Sequence, residues 1–162
     1  MKIIYLIRHA KSSWANVGQT DFDRPLNERY KMDAPIMGRG LLERKEIPDL
    51  VYCSTAKRAR KTCKKIITEV GIPNSLIQFE EDLYHASYKD ILNRIGETNN
   101  KHQSIYVIGH NPGLSVLASM LTDDSVEMVT CSIVKIKFDC DDWHEVFSNT
   151  GELVYHDYPK NI

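Results

Sequence analysis

The chain opens with MKIIYLIRHA (residues 1–10), in which the run from Ile3 to Ile7 is continuously apolar and rich in β-branched residues. An uninterrupted apolar run of this length is typical of a parallel strand that helices cover on both faces of the sheet. Arg8 and His9 follow the run directly. The segment therefore predicts a central strand that ends on two side chains suited to binding an anion.

Short apolar runs alternate with longer amphipathic stretches through the rest of the chain. This alternation predicts the α/β class, here a three-layer α/β/α sandwich with a mostly parallel central sheet. We predict further strands at 49–53, 75–79, 104–108 and 131–138, and helices at 27–45, 54–70, 88–98 and 111–121. Segments 143–147 and 152–155 are predicted to form an antiparallel edge hairpin near the C-terminus.

The bulk composition indicates an ordinary globular protein with one domain over residues 1–162. The chain is 42% hydrophobic and 27% charged, with a formal net charge of -1. Charge alone therefore implies neither nucleic acid nor a membrane as a partner. The first apolar run is too short for a signal peptide, and no stretch approaches transmembrane length. We expect a cytoplasmic protein whose four cysteines, which lack CxxC spacing, are reduced thiols.

Three segments with anion-binding side chains follow different predicted strands. They are Arg8-His9 after the first strand, Arg58 in the first turn of the next helix, and His110 before the helix start at Asn111-Pro112. Ligands of open α/β sheets bind beyond the carboxyl ends of the strands. Helix N-termini add free N–H groups and partial positive charge there. The order of these segments therefore predicts one anion site at that edge.

This combination of residue types favours phosphoryl transfer. Arginine makes planar, bidentate contacts with phosphate and keeps its charge. A histidine beside arginines tends to stay neutral, which leaves a ring nitrogen free to attack phosphorus. The arginines would also stabilise the charge on the equatorial oxygens during transfer. We therefore predict a phosphatase in which His9 accepts the phosphoryl group.

Six segments of the chain resemble the signature of the histidine phosphatase superfamily, and most closely that of its small SixA-type phosphohistidine phosphatase branch. They are RHAKSSW (8–14), DRPLN (23–27), DAPIMG (33–38), STAKRARKT (54–62), LYHA (83–86) and GHNPGL (109–114). The resemblance implies the phosphoglycerate mutase-like fold. Tyr30 stands where this branch usually has glycine, and Thr55 stands where proline is common, so the details of substrate fit are open.

The resemblance also implies a role for each matching residue. His9 would be the phosphoryl acceptor, and the phosphoryl group would be held by Arg8, Arg58 and His110, with Asn111 and Ser12 as further substrate-binding residues. Relatives with alcohol leaving groups use a carboxylic acid as general acid, and Asp82 matches that position best, with Glu81 second. A phosphohistidine substrate releases imidazole, which needs less help, so the carboxylate matters less for that substrate.

A metal site is also conceivable from residue types, because histidine and aspartate are common zinc ligands and His9, His110 and Asp82 could supply them. Arg8 and Arg58 argue against it, since they would repel a cation. We therefore predict no metal and no cofactor.

Three functions remain open at this point. The first is hydrolysis of phosphohistidine in a phosphorylated protein. The second is action on small phosphate esters, as a phosphatase or a mutase, with Asp82 or Glu81 as general acid. The third, of another class, is a phosphate-binding module without turnover.

Overall fold

A computed structural model describes residues 1–161 and shows six strands and four α-helices in the order β1-α1-β2-α2-β3-α3-β4-α4-β5-β6. The strands are β1 (Lys2–Arg8), β2 (Leu50–Ser54), β3 (Ile77–Glu80), β4 (Ser104–Gly109), β5 (Ile133–Phe138) and β6 (Gly151–Asp157). The helices are α1 (Asp33–Glu43), α2 (Lys57–Val70), α3 (Tyr88–Gly96) and α4 (Gly113–Thr122). Short 3₁₀ turns connect several of them.

The sheet has the strand order β3-β2-β4-β1-β5-β6. The first four strands in this order run parallel, whereas β5 is antiparallel to β1 and β6 is antiparallel to β5. Arg8, the last residue of β1, pairs with Gly109, the last residue of β4. The carboxyl ends of these central strands therefore lie level at one edge, which positions the residues that follow them.

The helices form two layers, one on each face of the sheet. Ile4 and Leu6 of β1 belong to the core that contains α3 and α4. Tyr5 and Ile7 belong to the core that contains α1 and α2. Neighbouring strand residues point to opposite faces, so a strand covered on both sides must be apolar throughout. The predicted α/β/α sandwich is thus confirmed.

Several predicted elements begin two or three residues from the observed start, among them the strand predicted from 131 and the helices predicted from 54 and 111. Three further differences have a visible physical reason or concern a whole element. The helix predicted from residue 27 begins at Asp33, because the Asn27 side chain accepts a hydrogen bond from the Arg29 N–H and forms a separate 3₁₀ turn. The strand predicted from residue 75 begins at Ile77, after a turn over 74–76. The strand predicted at 143–147 is wrong. Its first part is a 3₁₀ turn that buries Trp143, and β6 forms its hairpin with β5 instead.

The cysteines Cys53, Cys63, Cys131 and Cys140 are free thiols. A helical membrane crossing needs a long and apolar segment, and none of the helices within residues 1–161 meets that requirement.

Candidate active site

A cleft of ≈ 370 Å³ opens at the edge where β1 and β4 end. It contains most of the side chains that the sequence predicted as a site. The residues that line it are Arg8, His9, Lys11, Ser12, Trp14, Arg24, Arg58, His85, His110, Asn111 and Thr130. The structure thus brings together residues that are as much as 122 positions apart in the chain, and arginine and histidine dominate the lining.

His9 lies just beyond the end of β1, where the chain leaves the regular strand. Its N–H donates to the Gly109 carbonyl (3.1 Å), and the next N–H, of Ala10, donates to Thr62 Oγ1 (2.9 Å). These bonds tie the segment to β4 on one side and to α2 on the other. Because His9 lies outside the pleat, it can share one cleft with Arg8.

The His9 ring has a defined tautomer. Its Nδ1 lies 2.7 Å from the Ala10 carbonyl oxygen, which can only accept, so Nδ1 carries the proton and Nε2 keeps its lone pair. The side chain is buried, and burial together with the positive charges of Arg58 and Arg8 lowers the pKa of His9 to about 4. At neutral pH His9 is therefore an uncharged imidazole with a nucleophilic nitrogen.

His110 is the second buried imidazole of the cleft, with its ring centroid 5.1 Å from that of His9. Its Nε2 lies 2.7 Å from Ser54 Oγ, and the same oxygen accepts a hydrogen bond from the Ala56 N–H. The Ser54 hydroxyl can therefore donate its proton to Nε2, which places the proton of the neutral ring on Nδ1. Burial, followed by the charges of His9 and Arg58, lowers the pKa of His110 to about 3. The helix-start sequence around His110 thus delivers a neutral ring to the site.

Each arginine of the cleft is held by groups on its outer side. Arg8 Nη1 donates to the Met128 carbonyl (2.8 Å), which also accepts from Asn111 Nδ2 (2.8 Å). Arg58 donates through Nη1 to the Asp21 carbonyl (2.7 Å) and through Nη2 to Asp21 Oδ2 (3.1 Å). The guanidinium groups are therefore fixed before any ligand arrives.

Three buried nitrogens of this cleft have no hydrogen-bond partner among the described residues. They are Arg8 Nε, Arg58 Nε and His110 Nδ1. Buried polar atoms are rarely left unsatisfied, and exceptions need an explanation such as a bound ion. An oxyanion with several acceptor oxygens fits this set, because it can accept hydrogen bonds and also balance the charges of two arginines.

Asp21 is a central residue of the site that the sequence did not single out. Its carboxylate accepts from Arg58 and Arg24 and from the Tyr84 hydroxyl (2.7 Å). Although burial raises the pKa of Asp21, the Tyr84 and Arg24 hydrogen bonds and the Arg58 charge hold it well below its usual range. Asp21 is one of several acids in a polar loop, and no spacing in the sequence distinguishes it.

Asp82, which the family resemblance suggested as general acid, does not line the cleft. It lies in a 3₁₀ turn (Glu81–Leu83) and accepts a hydrogen bond from Arg94 Nη2 at 2.5 Å. Burial of Leu83 orients this turn so that Tyr84, and neither Asp82 nor Glu81, contacts the network of the site. The structure therefore does not bring either acid into the cleft.

Ser12 and Asn111 do line the cleft, but their polar atoms are already engaged. Ser12 Oγ accepts a hydrogen bond from Arg24, and Asn111 Oδ1 accepts from the N–H (3.1 Å) and hydroxyl (2.9 Å) of Ser115. Both residues orient the walls of the cleft in this arrangement. Their predicted contact with substrate stays a prediction.

Metal binding has little basis in this geometry. Within residues 1–161, no group of three His, Cys, Asp or Glu side chains is placed to hold a metal ion. The zinc set conceivable from the sequence is not assembled, because Asp82 binds Arg94 while His9 and His110 face two arginines.

The model of the histidine phosphatase superfamily (branch 1) matches residues 4–91, more than half of the chain. The chain belongs to the histidine phosphatase superfamily. A chloroplastic protein of Arabidopsis thaliana, itself uncharacterized, is 30% identical over 156 residues, which cover 91% of this chain and 72% of that relative. This histidine phosphatase thus has relatives that share almost its whole length.

Two solved structures share the fold of this histidine phosphatase from end to end. A phosphohistidine phosphatase SixA from Agrobacterium tumefaciens superposes with a TM-score of 0.84 at 25% identity, over 98% of both chains. A protein histidine phosphatase SixA complexed with tungstate gives the same TM-score at 20% identity, again over 98% of both chains. The family and these neighbours support a hydrolase, a histidine-type phosphatase with the SixA fold.

Proposed function

We propose that this phosphatase removes the phosphoryl group from phosphohistidine in proteins, through a covalent intermediate on His9 Nε2. The neutral His9 ring, with its proton held on Nδ1, supports the role of Nε2 as nucleophile. Arg8, Arg58 and His110 line the cleft, and each has a nitrogen without a hydrogen-bond partner within residues 1–161, which supports their role as ligands of the phosphoryl oxygens. The SixA neighbours, which have the same fold, are described as a phosphohistidine phosphatase and a protein histidine phosphatase, in keeping with the proposed activity.

The proposed reaction has two steps that balance. In the first, His9 Nε2 forms a bond to phosphorus while the bond from phosphorus to the substrate imidazole breaks, and that imidazole leaves with a proton from water. In the second, the hydroxide that this water leaves attacks phosphorus, the bond to Nε2 breaks, and inorganic phosphate departs, which returns His9 to its neutral form. Arg8 and Arg58 stabilise the charge on the equatorial oxygens in both transition states.

The observation that carries the choice of substrate is the lack of a proton-donating carboxyl group in the cleft. An alkyl phosphate ester must protonate its leaving oxygen, and a general acid contributes roughly 10²- to 10⁴-fold to such a step. No carboxyl side chain is part of the cleft lining in the described chain, the nearby Asp21 is held ionised, and Asp82 binds Arg94. The imidazole of phosphohistidine can take its proton from water at its free ring nitrogen, so it needs less help from a carboxylic acid of the enzyme, and the arrangement favours phosphohistidine.

A matched pair of peptides tests the proposal. One sequence is prepared with phosphohistidine and again with phosphoserine, and phosphate release is followed with both. We expect kcat/KM to be at least ~10²-fold higher for phosphohistidine, by the size of the missing general-acid contribution. Denaturation in alkaline SDS, which preserves the acid-labile P–N bond, should trap label from a ³²P-labelled phosphohistidine peptide on the wild-type chain and none on a His9→Asn chain.

The outcomes separate the three functions. Equal or faster turnover of phosphoserine, lost in Asp82→Asn, would identify an ester phosphatase with an acid that moves into the cleft. Phosphate binding without turnover of either peptide would identify a binding module. We expect Asp82→Asn to leave phosphohistidine turnover unchanged, because Asp82 does not line the cleft.

A further inference from the structure

A second and larger groove of ≈ 710 Å³ lies between α2 and the edge strand β3, outside the proposed catalytic cleft. We name it the α2–β3 groove. Its lining comprises Phe22, Thr55, Arg60, Lys61, Cys63, Lys64, Ile67, Asn74, Ile77 and Phe79. The lining combines apolar side chains with three cations and contains no carboxylate. The proposed reaction uses none of these residues.

The floor of the groove is an uncovered part of the sheet. Ile77 and Phe79 are two residues apart on β3, so they share one face, and Ile77 packs against the core that contains α2. Phe79 is 50% exposed. β3 is an outermost strand of the sheet and pairs only with β2, so its outer edge has no partner strand within residues 1–161. Exposed apolar edges are usually covered or charged, because they invite association.

The rim of the groove is cationic. Arg60, Lys61 and Lys64 are exposed on α2, and none of the three forms an ion pair in the described part of the chain. Lys61 and Lys64 are adjacent on the helix surface, as are Arg60 and Lys64, and like charges at these spacings destabilise a helix. Because the whole chain has a net charge of -1, this local excess is not a consequence of composition.

The groove adjoins the cleft through shared segments. Thr55 of the groove follows Ser54, whose hydroxyl contacts His110. Phe22 follows Asp21, which holds Arg58. Lys64 lies six residues beyond Arg58 on α2, about 9 Å along the helix axis at ~1.5 Å per residue. A chain that enters the cleft therefore needs only about three extended residues, at ~3.3 Å each, to reach the groove.

We propose that the α2–β3 groove docks a segment of the phosphorylated substrate protein that carries acidic and apolar residues near its phosphohistidine. This rests on the proposed function and adds the recognition of sequence around the modified histidine. The acidic side chains complement Arg60, Lys61 and Lys64, and the apolar side chains cover Ile77 and Phe79. Free phosphohistidine is too small to reach the groove from the cleft.

Two groups of variants test the docking surface without touching the proposed phosphoryl site. Lys61→Glu/Lys64→Glu reverses the rim, and Phe79→Ser removes the exposed ring. Lys45→Glu/Lys101→Glu makes the same charge change in two exposed loops that precede β2 and β4, at the end of the sheet where the parallel strands begin. The substrates are a twelve-residue phosphohistidine peptide flanked by Glu and Leu, the same peptide with Lys for Glu, and free phosphohistidine.

We expect the rim variant to lower kcat/KM for the acidic peptide by roughly tenfold, mainly through KM, since exposed interface charges act on association. Free phosphohistidine should be hydrolysed at the wild-type rate by every variant, and Lys45→Glu/Lys101→Glu should match the wild type on all substrates. Added salt should raise KM for the acidic peptide in the wild type and have little effect in the rim variant.

Wild-type kcat/KM for the acidic peptide in both groove variants would overturn the docking proposal while leaving the proposed function intact. An equal loss on free phosphohistidine would overturn it too, because the variants would then act on the catalytic cleft. Loss of self-association in the rim variant by sedimentation, with unchanged kcat/KM, would assign the groove to a second copy of the chain instead. A wild type inactive on every phosphohistidine substrate would overturn both proposals.

Discussion

Two clusters of charged side chains lie at opposite ends of the parallel strands. They differ in how many of their hydrogen-bonding groups have partners. At the edge where the parallel strands begin, Glu46 is buried and accepts from Lys135 Nζ (2.5 Å), Arg44 Nε (2.9 Å) and the Tyr155 hydroxyl (2.7 Å). Its backbone carbonyl accepts from the Tyr106 hydroxyl (2.6 Å). Every strong donor around this carboxylate therefore has an acceptor.

In the cleft at the other end of the strands, the hydrogen bonding within residues 1–161 is incomplete. Arg8 Nε, Arg58 Nε and His110 Nδ1 are buried without partners among the described residues. Leaving a buried donor unsatisfied costs about 1–3 kcal/mol, so a fold that retains three of them together gives up stability. The difference teaches that a buried charge by itself does not mark a functional site. A cluster whose hydrogen bonds await an acceptor does.

The largest expected effect is the loss of activity in His9→Asn, a substitution that should leave the protein folded. His9→Asn keeps a short polar side chain near Ala10 but removes the nucleophilic Nε2. We expect turnover of the phosphohistidine peptide to fall by roughly 10⁴-fold, because the covalent route is lost. Phosphate release measures the rate, and far-UV circular dichroism checks the fold. Turnover within tenfold of the wild type would disprove the role proposed for His9.

The converse change at the other edge should break stability and spare catalysis. Glu46→Ala leaves Lys135 and Arg44 without their shared carboxylate, and breaking a buried ion network of this kind costs about 3–5 kcal/mol. Urea unfolding measures the loss, and kcat at 20 °C should stay near the wild-type value in protein that remains folded. Glu152→Ala removes an exposed partner of Lys137 and should cost less than ~1 kcal/mol. Equal losses in the two variants would contradict the comparison.

Sequence reasoning reached the cleft because its main residues follow strands directly. The apolar run before Arg8-His9 and the helix start after His110 placed these side chains at one edge without knowledge of any contact. The fold class followed from the same strands, because a run covered on both faces needs helices on both sides. Sequence patterns of this kind extend over only a few residues, and they were sufficient to predict which strand ends carry the site residues.

The partners of these residues escaped the sequence because they come from loops and distant strands. Asp21 is 37 positions from Arg58, and Lys135 is 89 positions from Glu46. Asp82 matched a family position, but the burial of Leu83 and the nearby Arg94 decide where its carboxylate lies. Such pairings depend on how loops pack across the sheet, which no periodicity in the chain records.

Acid should affect the cleft before it affects the Glu46 cluster. The folded-state pKa of His9, about 4, lies below the unfolded value of about 6.5, so the unfolded chain binds more protons between these pH values. Stability is therefore complete above pH ~6.5 and falls as the pH is lowered toward ~4, by about 3 kcal/mol from His9. Glu46, with a lowered pKa, loses its contribution only below about pH 4.5.

Urea unfolding of the wild type and of His9→Asn at pH 7, 6, 5 and 4 measures this window. The variant lacks the titrating ring and should lose less stability between pH 6.5 and 4. His110, whose pKa is lowered to about 3, remains in both proteins and contributes a common slope. Identical pH profiles for the two proteins would show that His9 is not held neutral by its surroundings.

The smallest expected effect tests how firmly the outer shell of the cleft is held. Tyr84→Phe removes the hydroxyl that donates to Asp21 Oδ2 and leaves the ring, which contacts Phe22 and His110 edge-on. Asp21 then keeps its contacts with Arg24, Arg58 and the more distant His85 ring, so Arg58 is held less rigidly. We expect kcat/KM to fall by about three- to fivefold, because Tyr84 is partly exposed and water replaces much of the bond.

Tyr88→Phe is the matched control, since the Tyr88 hydroxyl has no hydrogen bond in the part of the chain that the structure describes and its loss should leave kcat/KM unchanged. A change of more than tenfold in Tyr84→Phe would mean that its hydroxyl contacts the substrate, and the cleft would then have a proton donor after all. No change would mean that Asp21 is held firmly without the Tyr84 hydroxyl, so that the cleft, like the Glu46 cluster, is rigid without its outermost bond.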